Sequence, residues 1–407
     1  MHPDLVLQLV LLTLGALSIV VILVMVGGLE LLALALMAAG TFFVTHVSIR
    51  IGPVLLADLM FIGASVPIVL LALVRPSVRS RAPYWPMLTV LTVLVLGGLL
   101  GTFTARYPDA SLSALARFAL ASIVMLLLFT LWQPTSTQTR WLMVAYVAGA
   151  VVSAALGFVI RGPAASGNRW IGLALHPNQL GATSYLSAGI VLGLLFTTRS
   201  RLQRMVLAAI AVGLFFAVIG TSSRGGLLAF ATVVFCFCIA LRQWHVLIGA
   251  AVVSTVGLMT LGNPFVRTDI AQANQERLER LRSTWAALGD SPFTGAGFEN
   301  ARFSHSLYLD AWQSAGLLGI VFIVGFVAII GRTFLIAYQR KLPLTAGLAS
   351  AYVGQLVASA FSPALWDRYL WMVVALLIAQ LHHETVGVDQ GVVSGSSGIR
   401  VEQLARS

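Results

Sequence analysis

The residue types in this chain that can do chemistry gather between Arg277 and Gly319, the only long polar interruption between its apolar runs. Arg277, Arg280 and Arg282 come first, then the turn Pro292-Phe293-Thr294-Gly295-Ala296-Gly297 and the run His305-Ser306-Leu307-Tyr308-Leu309. The stretch closes on Gly316-Leu317-Leu318-Gly319. Guanidinium groups bind phosphate oxygens in a planar, bidentate fork, and an imidazole titrates near neutrality and can take a proton from a hydroxyl. That combination suits chemistry on an anionic substrate. Local pairing separates the arginines. Glu276 can pair with Arg280 at i,i+4 and Glu279 with Arg282 at i,i+3, whereas Arg277 has no carboxylate three or four positions away. Arg277 is therefore the arginine expected to meet a ligand. Five arginines and five carboxylates balance between Asn263 and Ser304, so this stretch is not simply a cationic patch.

Two further constellations stand earlier in the chain. Thr221-Ser222-Ser223-Arg224-Gly225-Gly226 joins two apolar runs in a tight hairpin. Its hydroxyls, exposed amides and one guanidinium would suit a phosphate; a Gly-Gly turn with an arginine snorkelling to lipid headgroups would read the same way. Arg169-Trp170-Ile171-Gly172 is followed by His176-Pro177-Asn178-Gln179-Leu180-Gly181. Asn178 is expected to cap the following helix, with binding of sugar hydroxyls as the other reading. Of the seven histidines, His2, His382 and His383 are terminal, His245 lies in a loop expected on the cytoplasmic side, and His46 borders an early apolar run with no polar cluster near it. His176 and His305 remain.

Membrane helices must position these groups. The 407 residues are 58% hydrophobic and 10% charged, with mean hydropathy +0.93; a soluble domain carries about 25% charged residues. Apolar runs of about 20 residues, the length that crosses the hydrocarbon core, recur near 5–26, 29–45, 54–74, 87–104, 112–131, 141–160, 178–197, 205–219, 225–241, 246–261, 316–336, 344–361 and 369–381. They are continuous rather than alternating, which excludes a β-barrel. The first run lacks a basic n-region and continues into a second, so no cleavable signal is read there. The pattern predicts an all-α, polytopic integral membrane protein of about 12–13 transmembrane helices. Residues 1–384 would form a single transmembrane domain with one larger loop, 262–315, and 385–407 a flexible cytoplasmic tail. Within the loop, Asp269–Leu288 reads as an amphipathic helix along the membrane surface, with Leu278, Leu281, Trp285 and Leu288 on one face.

Arginines of the short loops orient the chain. Arg75, Arg79 and Arg81 share a side with Arg140, with Arg199, Arg201 and Arg204, with Arg242, and with Arg332, Arg340 and Lys341; that side is expected to be cytoplasmic. Parity puts Arg50, Arg106, Arg161, Arg169, Arg224 and the 262–315 loop outside. Thirteen spans would place Met1–Asp4 outside, and twelve would place both ends inside. The net charge is +11, and 24 of the 25 basic residues are arginine. GC-rich coding explains that bias as well as phosphate binding does. Nucleic acid is not expected as a partner, because the cations are dispersed among loops. Cys236 and Cys238 lie in an apolar helix with no metal-ligand spacing around them.

At these motifs the chain resembles the O-antigen ligase-like superfamily: lipopolysaccharide O-antigen ligases, Wzy-type polysaccharide polymerases and bacterial protein O-oligosaccharyltransferases. The resemblance spans roughly residues 140–380. It rests on Arg169–Gly181, on Ser223-Arg224-Gly225, on Arg277-Leu278 leading to Pro292 and Gly295-Ala296-Gly297, and on His305…Leu309…Gly316-Leu317-Leu318-Gly319. Ser306 stands where many relatives carry asparagine, and Leu281 where many carry tryptophan. The resemblance implies a GT-C-like fold in the bacterial cytoplasmic membrane and a catalytic loop facing the periplasm. It implies transfer of a glycan from undecaprenyl diphosphate to a glycan, lipid or protein acceptor, with no metal and no cofactor. It marks His305, Arg224 and Arg277 as catalytic. Arg169, Asn178, Arg280, Gly295 and Gly297 are expected to help bind substrate.

The residues themselves agree with that expectation. A diphosphate is already a good leaving group, so an enzyme needs cations to receive its developing charge. The acceptor hydroxyl needs a base, and His305 near a helix start would tend to stay neutral. Direct, inverting displacement at the sugar is the expected course. A peptidoglycan-type lipid II polymerase would instead rely on an outer carboxylate, Asp269 or Asp290, with His305 dispensable. A lipid-linked glycan flippase or transporter would carry charges deep within its spans; here Asp58 lies close to a span end.

Overall fold

The computed structural model describes residues 28–51, 54–74, 83–160, 169–261, 270–299, 304, 306–362 and 366–385. These residues are overwhelmingly helical, because a helix satisfies its own backbone N–H and C=O groups where no water is present to do so. In order they form α1 (Gly28–Phe43), the two-residue strands β1 (Arg50–Ile51) and β2 (Val54–Leu55), α2 (Leu56–Val74) and α3 (Trp85–Thr102). Next come α4 (Pro108–Ala119) and α5 (Met125–Trp132), joined through a π-helical turn at Leu120–Val124, then α6 (Ser136–Gly157) and α7 (Pro177–Thr197). After these follow α8 (Arg201–Gly220), α9 (Arg224–Leu241), α10 (Trp244–Leu261), α11 (Ile270–Asp290), α12 (Leu307–Arg340) and α13 (Pro343–Ser359). A last helix, α14, covers 368–385. The strands pair antiparallel, Arg50 with Leu55 and Ile51 with Val54.

Among the described residues eight helices are long and apolar enough to cross a membrane: α2, α3, the continuous α4–α5 unit, α6, α7, α8, α9 and α12. The chain is an all-α, multi-pass membrane protein. Every expected span within the described residues coincides with a helix; the one near 5–26 lies outside them, as does the tail after residue 385. The expected amphipathic helix is α11, shifted by one or two residues at each end.

α7 is the centre of the bundle, with 83% of its apolar window buried, against 28% for α2 and α8. Small side chains let its neighbours come close. A Cβ on Gly189 would meet Gly347 O at 2.6 Å, and one on Gly347 would meet Gly189 O at 2.2 Å. α7 and α13 therefore cross backbone to backbone, the packing that small residues permit where hydrophobic burial supplies no net drive. Outward-facing apolar residues such as Leu73, Val74, Phe103 and Val324 remain exposed, as a lipid-facing surface requires. One charged pair joins helix ends: Arg368, at the start of α14, bonds Asp58 in the first turn of α2. Each charge thus has a counter-ion at a helix end.

Candidate anion-binding site

α8 ends at Gly220 and α9 starts at Arg224. Between them Ser222 adopts a left-handed conformation, φ 49°, which reverses the chain. Ser223 caps α9, its Oγ accepting from Gly226 N at 3.1 Å, and so satisfies one of the helix's orphan donors. Arg224 is the first residue of α9, at the positive end of the helix. Its Nη2 donates to Asn274 Oδ1 at 3.0 Å. Asn274 precedes Arg277 by three positions on α11, so the two share a helix face. This bond ties α11 to the hairpin, and Arg224 and Arg277 border the same cavity.

A third guanidinium is fixed from below. Arg169 is 9% exposed and donates from Nε to Thr221 O at 2.5 Å and from Nη2 to Asn178 Oδ1 at 3.1 Å. Burying a cation requires such partners. Arg169, Asn178, Ser222, Ser223, Arg224 and Arg277 surround a polar cavity of about 60 Å³. Its floor is Tyr185 of α7, Gln355 of α13 and Tyr369 of α14, all nearly buried.

Arg224, Gly225, Arg277 and Phe361 also border a second, much larger space. This is an apolar groove of about 910 Å³, walled by Leu227, Leu228 and Phe230 of α9 on one side and by Leu278 and Leu281 of α11 on the other. The two guanidiniums thus stand where a polar cavity meets an apolar groove. Such an arrangement takes an amphiphile whose charged group lies between an apolar chain and a polar body.

The structure reassigns two local expectations. Asn178 does not cap α7. His176 does, its Nδ1 accepting from Asn178 N at 3.2 Å, and Pro177 is the first helical residue. Proline lacks an N–H and is preset for that position, which moves the cap to the residue before it and leaves the Asn178 side chain to Arg169. In α11, Glu279 is bonded by Gln275 one turn earlier, at 3.2 Å, and not by Arg282. Arg280 lines neither cavity.

The glycine turn after α11 has a packing role. Phe293 O accepts from Leu317 N at 3.0 Å and Ala296 N donates to Gln313 O at 2.7 Å, so the turn docks on α12. It docks at Gly316, where φ is 57° and α12 kinks. A Cβ there would meet Phe293 O at 2.0 Å. Gly295 and Gly297 pack against Ser314, Gly316, Gly101 and Ser111 and line neither cavity. The spacing between the Gly-x-Gly turn and Gly316 is therefore the spacing of one joint.

His305 lies outside the described residues; its neighbours do not. Ser304 N and Oγ donate to Asp310 Oδ1 at 3.2 and 2.5 Å, and Ser306 N donates to Ser304 Oγ at 3.0 Å. Asp310 is fully buried. Tyr308, in the same first turn of α12, donates to Leu356 O at 2.7 Å, which brings this turn beside Gln355 on the cavity floor. Sequence reasoning missed Asn274, Tyr185, Gln355, Tyr369 and Asp310. For Asn274 the signal was its three-residue spacing from Arg277, and for Tyr185 and Gln355 it was polarity inside an apolar span. Among the described residues no three of His, Cys, Asp and Glu cluster as metal ligands. In comparisons with known proteins, the chain matches no family model and no curated protein.

Proposed function

We propose that this protein is a membrane glycan transferase. It would move a glycan from a polyprenyl diphosphate, undecaprenyl diphosphate in a bacterial cytoplasmic membrane, to an acceptor hydroxyl on the outer face. The observation that carries the reading is the pair Arg224 and Arg277 at the junction of an apolar groove and a polar cavity. The polyprenyl chain lies in the groove, and the two guanidiniums hold the diphosphate through charge-assisted hydrogen bonds. The resemblance to the O-antigen ligase-like superfamily and the expected cytoplasmic side of the arginine-rich short loops support the same reading.

The reaction is one inverting displacement. The acceptor oxygen attacks the anomeric carbon, the bond from that carbon to the diphosphate oxygen breaks, and the diphosphate leaves with the electron pair. Arg224 and Arg277 receive that developing charge, the role in which fixed donors contribute most to rate. The proton of the acceptor hydroxyl passes to His305. That residue stands in sequence between Ser304 and Ser306; the Ser304 Oγ accepts from Ser306 N, and Ser304 N donates to buried Asp310.

The test is transfer by the purified chain from undecaprenyl-diphosphate-linked oligosaccharide to a lipid A-core or glycan acceptor, with and without EDTA. Wild-type protein is expected to transfer in both conditions. Arg224→Ala and Arg277→Ala should each lose about 10²–10³-fold, and His305→Ala about 10²–10⁴-fold with donor binding kept. Abolition of transfer by EDTA, or near-normal turnover in all three variants, would overturn the mechanism.

A further inference from the structure

The two cavities that meet at the arginines are unlike, and a polyprenyl-diphosphate glycan is a linear molecule with three unlike parts. Its order is apolar chain, diphosphate, sugar. If the chain occupies the apolar groove and the diphosphate the arginine pair, the sugar bonded directly to the diphosphate points into the remaining space. That space is the polar cavity floored by Tyr185, Gln355 and Tyr369. We infer that these three side chains form a subsite for the first sugar of the donor, and that they select a neutral pyranose there. The inference rests on the proposed donor class and goes on to say which residues read its sugar.

The chemistry of the floor fits that role. Tyr185 OH donates to Gln355 Oε1 at 2.5 Å and Gln355 Nε2 donates to Ser359 Oγ at 3.0 Å. Tyr369 OH donates to Asp367 Oδ2 at 2.7 Å. Each side chain is thus held in one orientation by a protein partner, and each residue borders the cavity. Tyr185, Gln355 and Tyr369 are 2%, 2% and 3% exposed. Polar side chains buried in a helical membrane bundle also join helices by hydrogen bonds; what singles these three out is that all of them line the cavity rimmed by the arginines. The three floor side chains are themselves neutral, with the Asp367 carboxylate bonded to Tyr369 but not lining the cavity, while the rim is cationic, so the charge of the ligand belongs at the rim and its hydroxyls at the floor. Size points the same way. About 60 Å³ holds roughly four to six water molecules, enough for the polar edge of one ring and too little for a second sugar. Ala182 and Ala358, which also line the cavity, keep that space open.

The double variant Tyr185→Phe/Gln355→Met tests the inference. Replacing both partners of the Tyr185–Gln355 bond by apolar groups of similar shape disturbs folding little, and the Ser359 hydroxyl released from Gln355 can bond the carbonyl one turn back in α13. The full chain in detergent would be titrated with undecaprenyl diphosphate and with its glucose, galactose, N-acetylglucosamine and N-acetylgalactosamine conjugates. Wild-type protein should bind the best conjugate about tenfold more tightly than the worst, the scale of one or two hydrogen bonds to a buried neutral group. The double variant should bind sugar-free undecaprenyl diphosphate as wild type does and lose that discrimination. Discrimination unchanged in the double variant would overturn the subsite. So would wild-type protein that binds all four conjugates and the sugar-free lipid alike. Failure of wild-type protein to bind sugar-free undecaprenyl diphosphate would instead remove the donor reading itself. Arg224→Ala separates the two, since it should weaken every one of these ligands by a similar factor.

Discussion

Arg224 and Arg277 reach one cavity from different elements, and Asn274 is the side chain that joins them. Asn274 also borders the apolar groove, though not the polar cavity, and its part towards the diphosphate is that of a tether. Asn274→Ala removes one hydrogen bond to a charged group and leaves both guanidiniums in place. The bond is exposed to solvent, so its loss should weaken donor binding by about 2–10-fold, the net worth of an ordinary hydrogen bond, well short of the loss expected for either arginine. Titration with undecaprenyl diphosphate measures this, and an effect as large as that of Arg224→Ala would mean Asn274 itself touches the ligand. Arg280 is half-buried and lines neither cavity, so Arg280→Ala should reduce transfer far less than Arg224→Ala or Arg277→Ala does. Legibility at this scale was uneven. Arg224 and Arg277 could be picked out by hairpin tightness and by the lack of local carboxylates. The His176 cap was also readable, since Pro177 cannot follow any other residue into the first helical position without making that residue the cap. Tyr185 and Gln355 could not be paired from sequence, because 170 residues separate them and only the crossing of α7 and α13 brings them together.

At the scale of elements, the apolar runs forecast the helices closely, since a span of hydrocarbon fixes helix length and composition together. The joint between α12 and the glycine turn was not readable as a joint. In sequence Gly316 is one glycine in Gly316-Leu317-Leu318-Gly319; in the fold it is a left-handed residue wedged against Phe293 O. The expected span near 316 and the helix start at Leu307 are both accounted for by this kink. Gly316→Ala places a Cβ into that carbonyl and puts a non-glycine residue at φ 57°, ψ −136°, a sparsely populated conformation that costs about 1–3 kcal/mol. We expect it to lower the melting temperature in detergent and to reduce transfer, because the first turn of α12 carries the segment with His305. Gly331→Ala serves as a control: Gly331 lies in the same helix and a Cβ there meets nothing. It should leave both quantities unchanged, and equal damage from the two would show that the joint has no special role.

For the whole molecule, the account requires that α11 and the arginine pair face outward while the arginine-rich short loops face the cytoplasm. Ser283 is exposed on α11, so Ser283→Cys should react with an impermeant maleimide in intact cells. Labelling only after the inner membrane is permeabilised would invert the topology. The central claim is that the chain cleaves a sugar from a lipid diphosphate, and the identity of the lipid product reports on it most directly. Mass spectrometry of a single-turnover reaction, with undecaprenyl-diphosphate-linked oligosaccharide and acceptor, should find undecaprenyl diphosphate formed in step with glycosylated acceptor, one for one. The appearance of undecaprenyl monophosphate, or of transported but uncleaved donor, would contradict it.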